Sequence, residues 1–336
     1  MLSKSTVPAV PAAFFALVLG LAGLAFSWRG AHRIWGFPEL VGELLMLLAA
    51  LVWAVLILLY AAKWIRKRDA AVKELNDPIQ CCYIGLIGVT TMLIAGGVLP
   101  YVRSAAQMLF ALGACFTALF AIWRTGILWR GGRDPGSTTA VLYLPLGAGS
   151  FVMASGLGVM GHADWGQLAF GAGLFSWLAI ESVLLQRLLI AQPLPLALRP
   201  TMGIQIAPPT VGALAYLNVT SGAPDLLVHA MVGYGVLQTL IAIGMFPWVR
   251  QQPFAPGYWA FSFGVTALAS DLLRLIERGD TGAAASLAPY AFGLANVVVA
   301  ALAAGTIRLV VQRRLLPVPA RDCASRSGGD MRSVNQ

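Results

Sequence analysis

Apolar positions in this chain do not alternate with polar ones but run on in long blocks. Ten such blocks, 8–27, 39–62, 80–100, 104–123, 141–160, 165–190, 200–219, 225–246, 257–277 and 284–312, follow one another with only short polar connections between them. A helix crosses the hydrocarbon core of a bilayer with about 20 apolar residues, so each block is long enough to span. The expected architecture is an all-α integral membrane protein, with ten transmembrane helices folded as five helical hairpins. The link at 161–165 is so short that the fifth and sixth helices must be antiparallel neighbours. The link at 63–78 is amphipathic and reads as an extension of the second helix beyond the bilayer.

Glycine and proline are unevenly shared among the blocks. The odd-numbered ones hold 21 and the even-numbered ones 11. Proline inside a helix frees a carbonyl and bends the axis. In a membrane such freed backbone groups are tolerated only against protein or a water-filled cavity. The alternation therefore predicts an inner five-helix pore made of the odd helices and ringed by five smoother outer ones. Ala16, Gly20, Gly88, Pro145, Gly149, Pro208 and Gly264 are the candidates for pore lining or helix bending, with Pro209 beside Pro208. Glycine also permits close helix contact, so packing is the competing use of the same residues.

Composition agrees with the membrane reading. Of 336 residues 58% are hydrophobic and only 11% charged, with mean hydropathy +0.77; a soluble domain carries roughly a quarter charged residues. Residues 1–316 are expected to form a single transmembrane domain and the polar segment 317–336 a disordered cytoplasmic tail. The first block is too long for a signal-peptide core and lacks a small-residue cleavage site, so it reads as a retained helix. With the N-terminus inside, eighteen Lys and Arg fall on the cytoplasmic side and five outside, the positive-inside pattern. Both termini are then expected to be cytoplasmic. The net charge of +9 is spread over several cytoplasmic places. It is a topology signal and not a nucleic-acid footprint.

Little of the chain points to catalysis. Gly156-Leu-Gly158-Val-Met-Gly161 matches the letters of a dinucleotide fingerprint but lies within an apolar span, not between a strand and a helix. Asn218-Val-Thr220 is a formal glycosylation site with nothing around it to support that use. Cys81, Cys82, Cys115 and Cys323 form no CxxC and read as small packing residues. His32, His162 and His229 lack neighbours at metal-ligand spacing. No catalytic residue, metal or cofactor is assigned.

Charges within spans are functional candidates because burying them is costly. Glu181 and Arg187 lie toward one end of the sixth block; Asp271 and Arg274, three residues apart in the ninth, can pair on one helix face. Arg274 is a candidate vestibule charge that concentrates anions, with Asp271 beside it. No Lys or Arg stands at the middle of an odd block, so the expected pore is lined by small residues and aromatic rings. Such a pore selects by the cost of dehydrating an ion, and aromatic constrictions can close it.

Several stretches carry a family resemblance: Thr90-Thr91-Met92-Leu93, Tyr143-Leu144-Pro145, Phe170-Gly171-Ala172-Gly173, Glu181 with Leu184-Leu185-Gln186, Thr201-Met202-Gly203-Ile204 with Ala207-Pro208, Phe246-Pro247-Trp248, and Trp259-Ala260-Phe261-Ser262-Phe263-Gly264. In this order they resemble the tellurite-resistance/dicarboxylate transporter family, whose relatives include plant guard-cell slow anion channels. The resemblance implies a homotrimer in which each protomer has its own pore for small inorganic or organic anions. It also implies that Phe263 is the pore gate. Two positions depart from the family. Ala13-Phe14-Phe15-Ala16 stands where Gly-Tyr-Phe-Gly is usual, so the bore there is expected to be tighter, and Gly88 stands where Pro is frequent. At ~1.5 Å per residue from Pro256, Phe263 lies only about 10 Å into its helix, and a longer or bent lead-in is needed to centre it. A proton-coupled transporter of dicarboxylates or toxic oxyanions is the alternative. It needs a titratable group at membrane depth, which Glu181 and Asp271 alone offer.

Overall fold

The computed structural model describes residues 9–316, all of whose regular structure is helical; the expected tail at 317–336 lies outside them. Eleven α-helices follow in order: α1 Phe15–Trp35, α2 Glu39–Arg66, α3 Arg68–Asn76, α4 Leu86–Val98, α5 Arg103–Leu128, α6 Gly149–Val159, α7 Ala163–Ile190, α8 Ala207–Val219, α9 Leu226–Val249, α10 Ser262–Glu277 and α11 Ala283–Val311. Nine helical stretches among the described residues are long and apolar enough to cross a membrane. The chain is a multi-pass membrane protein.

The seventh block, 200–219, falls outside those nine although it is helical throughout. Its Gln205, Pro208, Pro209 and Asn218 dilute its hydropathy. Ten of the thirteen residues of α8 are buried, and a helix enclosed by protein has no need of a wholly apolar surface.

The uneven distribution of glycine and proline has a structural counterpart. The even blocks form the uninterrupted α-helices α2, α5, α7, α9 and α11. Every odd block begins instead with 3-10 turns: Ala12–Phe14 before α1, Gln80–Gly85 before α4, Ala140–Leu142 before α6, Leu196–Ile206 before α8 and Pro256–Phe261 before α10. Before α6 a π-turn, Leu144–Ala148, completes the lead-in with Pro145 in its first turn. Pro208 and Pro209 occupy the first turn of α8, where a missing N–H costs nothing. These prolines therefore mark the change from 3-10 to α geometry and do not bend the middle of a helix, as the sequence led us to expect.

Backbone carbonyls loosened at those junctions are taken up by hydroxyls. Thr90 donates to Leu86 O at 2.8 Å, Thr210 to Ile206 O at 2.9 Å and Thr266 to Ser262 O at 3.0 Å. Each threonine stands four residues beyond its junction and is fully buried. Without water in the bilayer core, such groups must be satisfied within the protein.

Consecutive blocks pack as pairs, α1 on α2, α4 on α5, α6 on α7, α8 on α9 and α10 on α11. The odd blocks also touch in a closed cycle: α1 on α4, α4 on α6, α6 on α8, α8 on α10, and α10 back on α1. Burial divides them the same way. Between 56% and 78% of the apolar window is buried in the first, third, fifth and ninth blocks, against 22–33% in the even ones. The even helices present Leu58, Leu119, Phe175, Ile243 and Val297 outward, an apolar exterior far larger than a soluble protein carries.

The link after α2 differs from the expected extension. Lys67 leaves helical geometry, and α3 folds back as a separate helix. What draws it back is Glu74, which accepts from Lys63 Nζ at 2.6 Å, Tyr60 Oη at 3.0 Å and the Ala12 amide at 2.8 Å. This buried set ties α2 and α3 to the start of the first block.

Candidate functional site

Two cavities lie in line inside the cycle of odd blocks. The narrow one, ≈ 40 Å³, is lined only by those blocks: Ala13, Ala16 and Leu19 from the first, Tyr83 and Leu86 from the third, Tyr143, Leu144, Ala148 and Phe151 from the fifth, and residues of the seventh and ninth that include Pro208, Val211, Trp259 and Phe263. It sits among the 3-10 lead-ins. The wide one, ≈ 380 Å³, is lined by the opposite halves of the same blocks, including Gly23, Gly30, Met92, Ser155, Asn218, Ala267 and Ser270, with Phe110 from α5 as the one contribution of an even helix. Only Phe263 and Val211 belong to both walls.

Phe263 is buried, the second residue of α10, directly after its 3-10 lead-in. That lead-in rises ~2.0 Å per residue instead of ~1.5 Å, so over Pro256–Phe261 it carries the ring about 3 Å deeper than a plain α-helix would. Two glycines permit close approach beside it. Gly23 on α1 leaves room for Thr266, whose Oγ1 a Cβ there would overlap, while Phe263 Cδ2 would be at ordinary contact, 3.4 Å. Gly264 lets α10 approach the backbone of the seventh block, where a Cβ would lie 2.7 Å from the Ala207 amide.

The other sequence candidates divide. Ala16 and Pro208 face the narrow cavity. Gly20 packs against Ser262 and Trp259, and both Gly88 and Gly149 against Thr117 of α5; these are points of close helix approach. Pro145 is buried in the π-turn beside Gly85.

Arg274 lines the wide cavity, but it does not pair with Asp271. Its guanidinium donates to Glu277 at 2.6 Å, and both carboxyl oxygens of Asp271 are buried without a hydrogen-bond partner. Asp271 faces neither cavity. Both 271 and 277 lie three residues from 274, and only the outer one is near water. Arg29 and Arg33 of α1, one turn apart, also reach the wide cavity. Arg29 is held by Glu43 through two bonds of 2.8 Å and by Gly97 O at 3.1 Å, while Arg33 donates to Glu277. The sequence reading missed this pair. Its signal was the four-residue spacing on the glycine face of the first block.

Glu181 sits between the fifth, sixth and eighth blocks, away from both cavities. It accepts from Tyr143 Oη, from Trp177 Nε1 at 3.0 Å, from Tyr234 Oη at 2.7 Å and from Gln238 Nε2 at 3.5 Å. Four neutral donors hold a buried carboxyl here, which joins α7 to the fifth block and to α9. Cys81 and Cys82 are buried and unbridged, and Cys115 is exposed on α5.

A multi-pass helical chain with aligned internal cavities, one aromatic ring between them and arginines around the wider one belongs to the class of membrane channels and transporters. The profile of the SLAC1 family, described as a voltage-dependent anion channel, matches residues 9–307, and the chain belongs to that family. It is 34% identical over 299 residues to the tellurite resistance protein TehA homolog of Haemophilus influenzae, covering 89% of this chain and 90% of that one. It is 23% identical to an uncharacterized transporter of Methanocaldococcus jannaschii over 77% of this chain and 83% of the other. Identity to the S-type anion channel SLAH2 of Arabidopsis thaliana is 22%, over 91% of this chain and 60% of that longer protein.

Proposed function

We propose that this protein is a bacterial inner-membrane channel for small inorganic or organic anions. Its pore runs between the five odd blocks, the even helices form the wall against lipid, and Phe263 is the gate. Both termini lie in the cytoplasm. The observation that carries this reading is the position of Phe263, whose ring belongs to the walls of both cavities. Turning or removing that ring would join them. The assembly is a homotrimer, as the family resemblance implies, in which each protomer has its own path between its five odd blocks.

The chemistry of the walls favours anions that shed water readily. The narrow cavity is lined by Ala, Leu, Ile, Val, Pro, Gly and aromatic side chains, with no charged one among the described residues. An apolar bore offers no tight site, so an ion passes at the cost of its hydration. Cations face the guanidinium groups of Arg29, Arg33 and Arg274 on the wide side and are disfavoured there. The departures Ala13 and Ala16 both stand on the narrow wall and make it tighter than glycine would.

Coupling to protons would require a titratable group along the path; Glu181 and Asp271 face neither cavity, and Glu277, on the wide side, is bound between the guanidinium groups of Arg33 and Arg274. Flux into proteoliposomes tests the distinction. Chloride or nitrate uptake should follow the membrane potential and stay within about twofold when a one-unit pH gradient of either sign is imposed, a gradient that biases a one-proton exchanger roughly tenfold. Uptake that requires the pH gradient at zero potential would make the protein a coupled transporter.

A further inference from the structure

We propose that Arg33 and Arg274 form an anion-binding site on the wall of the wide cavity, and that Glu277 occupies it as a tethered counter-ion which a small anion such as chloride displaces. The proposal rests on the channel reading only in taking the displacing anion to be the permeant one.

Glu277 lies between two guanidinium groups. Arg33 Nε donates to its Oε1, and Arg274 Nη1 to its Oε2 at 2.6 Å. Neither arginine is used up by this. A guanidinium carries five N–H donors in a fixed fork, and each of these two spends one on the carboxylate. Arg274 Nε is buried with no partner, and the side chain as a whole is 38% exposed, so the guanidinium can turn within its site. Two positive charges face one negative charge, which leaves the set one charge short of neutrality.

Arg29, a turn earlier on α1, shows what a purely structural arginine looks like here. It is bound bidentately by Glu43, bonds Gly97 O as well, and is only 13% exposed. Arg33 and Arg274 are 53% and 38% exposed, each with a single bond to a shared partner. Such side chains can turn. Ser270 stands one turn before Arg274 on the same wall, but its hydroxyl is spent on Thr266 O at 3.1 Å, so the two guanidinium groups supply the donors. The cavity, at ≈ 380 Å³, has room for a small anion with part of its water shell.

A displaceable internal carboxylate solves a problem that any conducting site faces. Two bare guanidinium groups would hold an anion too firmly for rapid passage, and binding must be weak enough to release. With Glu277 competing, each anion that enters gives up part of its binding free energy to move the carboxylate aside. On leaving, it is pushed by the carboxylate's return.

Chloride binding to the full-length protein in detergent, measured by the broadening of the chlorine-35 NMR line at constant ionic strength, tests this without any need for conduction. Glu277→Gln should tighten chloride binding roughly tenfold, as expected from removing one competing unit charge in a hydrated site. Arg33→Gln with Arg274→Gln in the same chain should abolish the binding. If Glu277→Gln does not yield folded protein, Glu277→Asp, which draws the carboxylate back by one methylene, should tighten binding about threefold. Unchanged chloride affinity on altering Glu277, or binding that survives loss of both arginines, would overturn the proposal. A result of either kind is separate from the gate, because equilibrium binding in the wide cavity does not depend on whether Phe263 moves.

Discussion

At the scale of single residues, glycine has two distinct uses here, and substitution separates them. Gly264 has the backbone of the seventh block against it, with Ala207 N at 2.7 Å and Ile206 C at 2.8 Å from any added Cβ. Backbone cannot yield as a side chain can, so Gly264→Ala must push α10 from α8. The expected loss is about 1–3 kcal/mol, visible as a lower melting temperature in detergent. Gly171, on the open face of α7, has nothing within 4 Å, and Gly171→Ala should raise stability by up to about 1 kcal/mol through helix propensity. Sequence could name both glycines but not tell them apart, because only the neighbouring helix decides. The arginines repeat this lesson. Spacing alone allows Arg274 to pair with Asp271 or Glu277, and the choice falls on Glu277, which is partly exposed beside Arg33, while Asp271 is wholly buried on another face. Phe263, by contrast, was legible only through its motif, since composition gives no reason to prefer one phenylalanine among fifteen.

At the scale of elements, hydropathy located nine spans among the described residues because spanning helices need length and apolarity more than any particular residue, and the seventh block, helical but more polar, falls outside them. The alternation of glycine and proline was also legible, but its structural form was not. Some of them, such as Gly85, Pro145, Pro200, Gly203 and Gly257, stand in 3-10 and π lead-ins at one end of an odd block, while others, such as Gly20, Gly88 and Gly264, are points of close approach within the α-helices. A count of helix-breakers marks where regular geometry is disfavoured and leaves open what replaces it. Helix ends are set by local chemistry that is easier to test. Asp225 accepts from the Leu227 and Val228 amides at 3.1 and 3.2 Å and caps α9. Its bond from Tyr216 Oη, together with these amides, holds its carboxyl below the ordinary range. Asp225→Ala should cost about 1 kcal/mol at neutral pH. For a depressed carboxyl the contribution is fully present above the ordinary carboxylate range and disappears as pH falls through the lowered value. Thermal melts of the two proteins should therefore differ at pH 7 and draw together only as the pH falls below the ordinary carboxylate range.

At the scale of the whole molecule, the division of labour among helices follows from solvent. Helices that face lipid rely on their own backbone bonds and stay α-helical throughout, even where α9 carries Pro247 and α11 carries Pro289. Helices enclosed by others are free to depart from α geometry and to carry polar groups. The seventh block is the clearest case, too polar for a lipid-facing span and almost wholly buried. The cavities that result are apolar where narrow and arginine-bearing where wide, and a single aromatic ring stands in both walls. Single-channel recording in planar bilayers on a series that shortens this ring, Phe263→Leu, →Val and →Ala, tests that central claim most directly. Chloride conductance should rise as the side chain shrinks, by about tenfold or more for Phe263→Ala over the wild type, as the dehydrating constriction widens. Conductance that stays at the wild-type level across the series, in protein whose assembly and melting temperature are unaltered, would contradict the assignment of Phe263 as the gate.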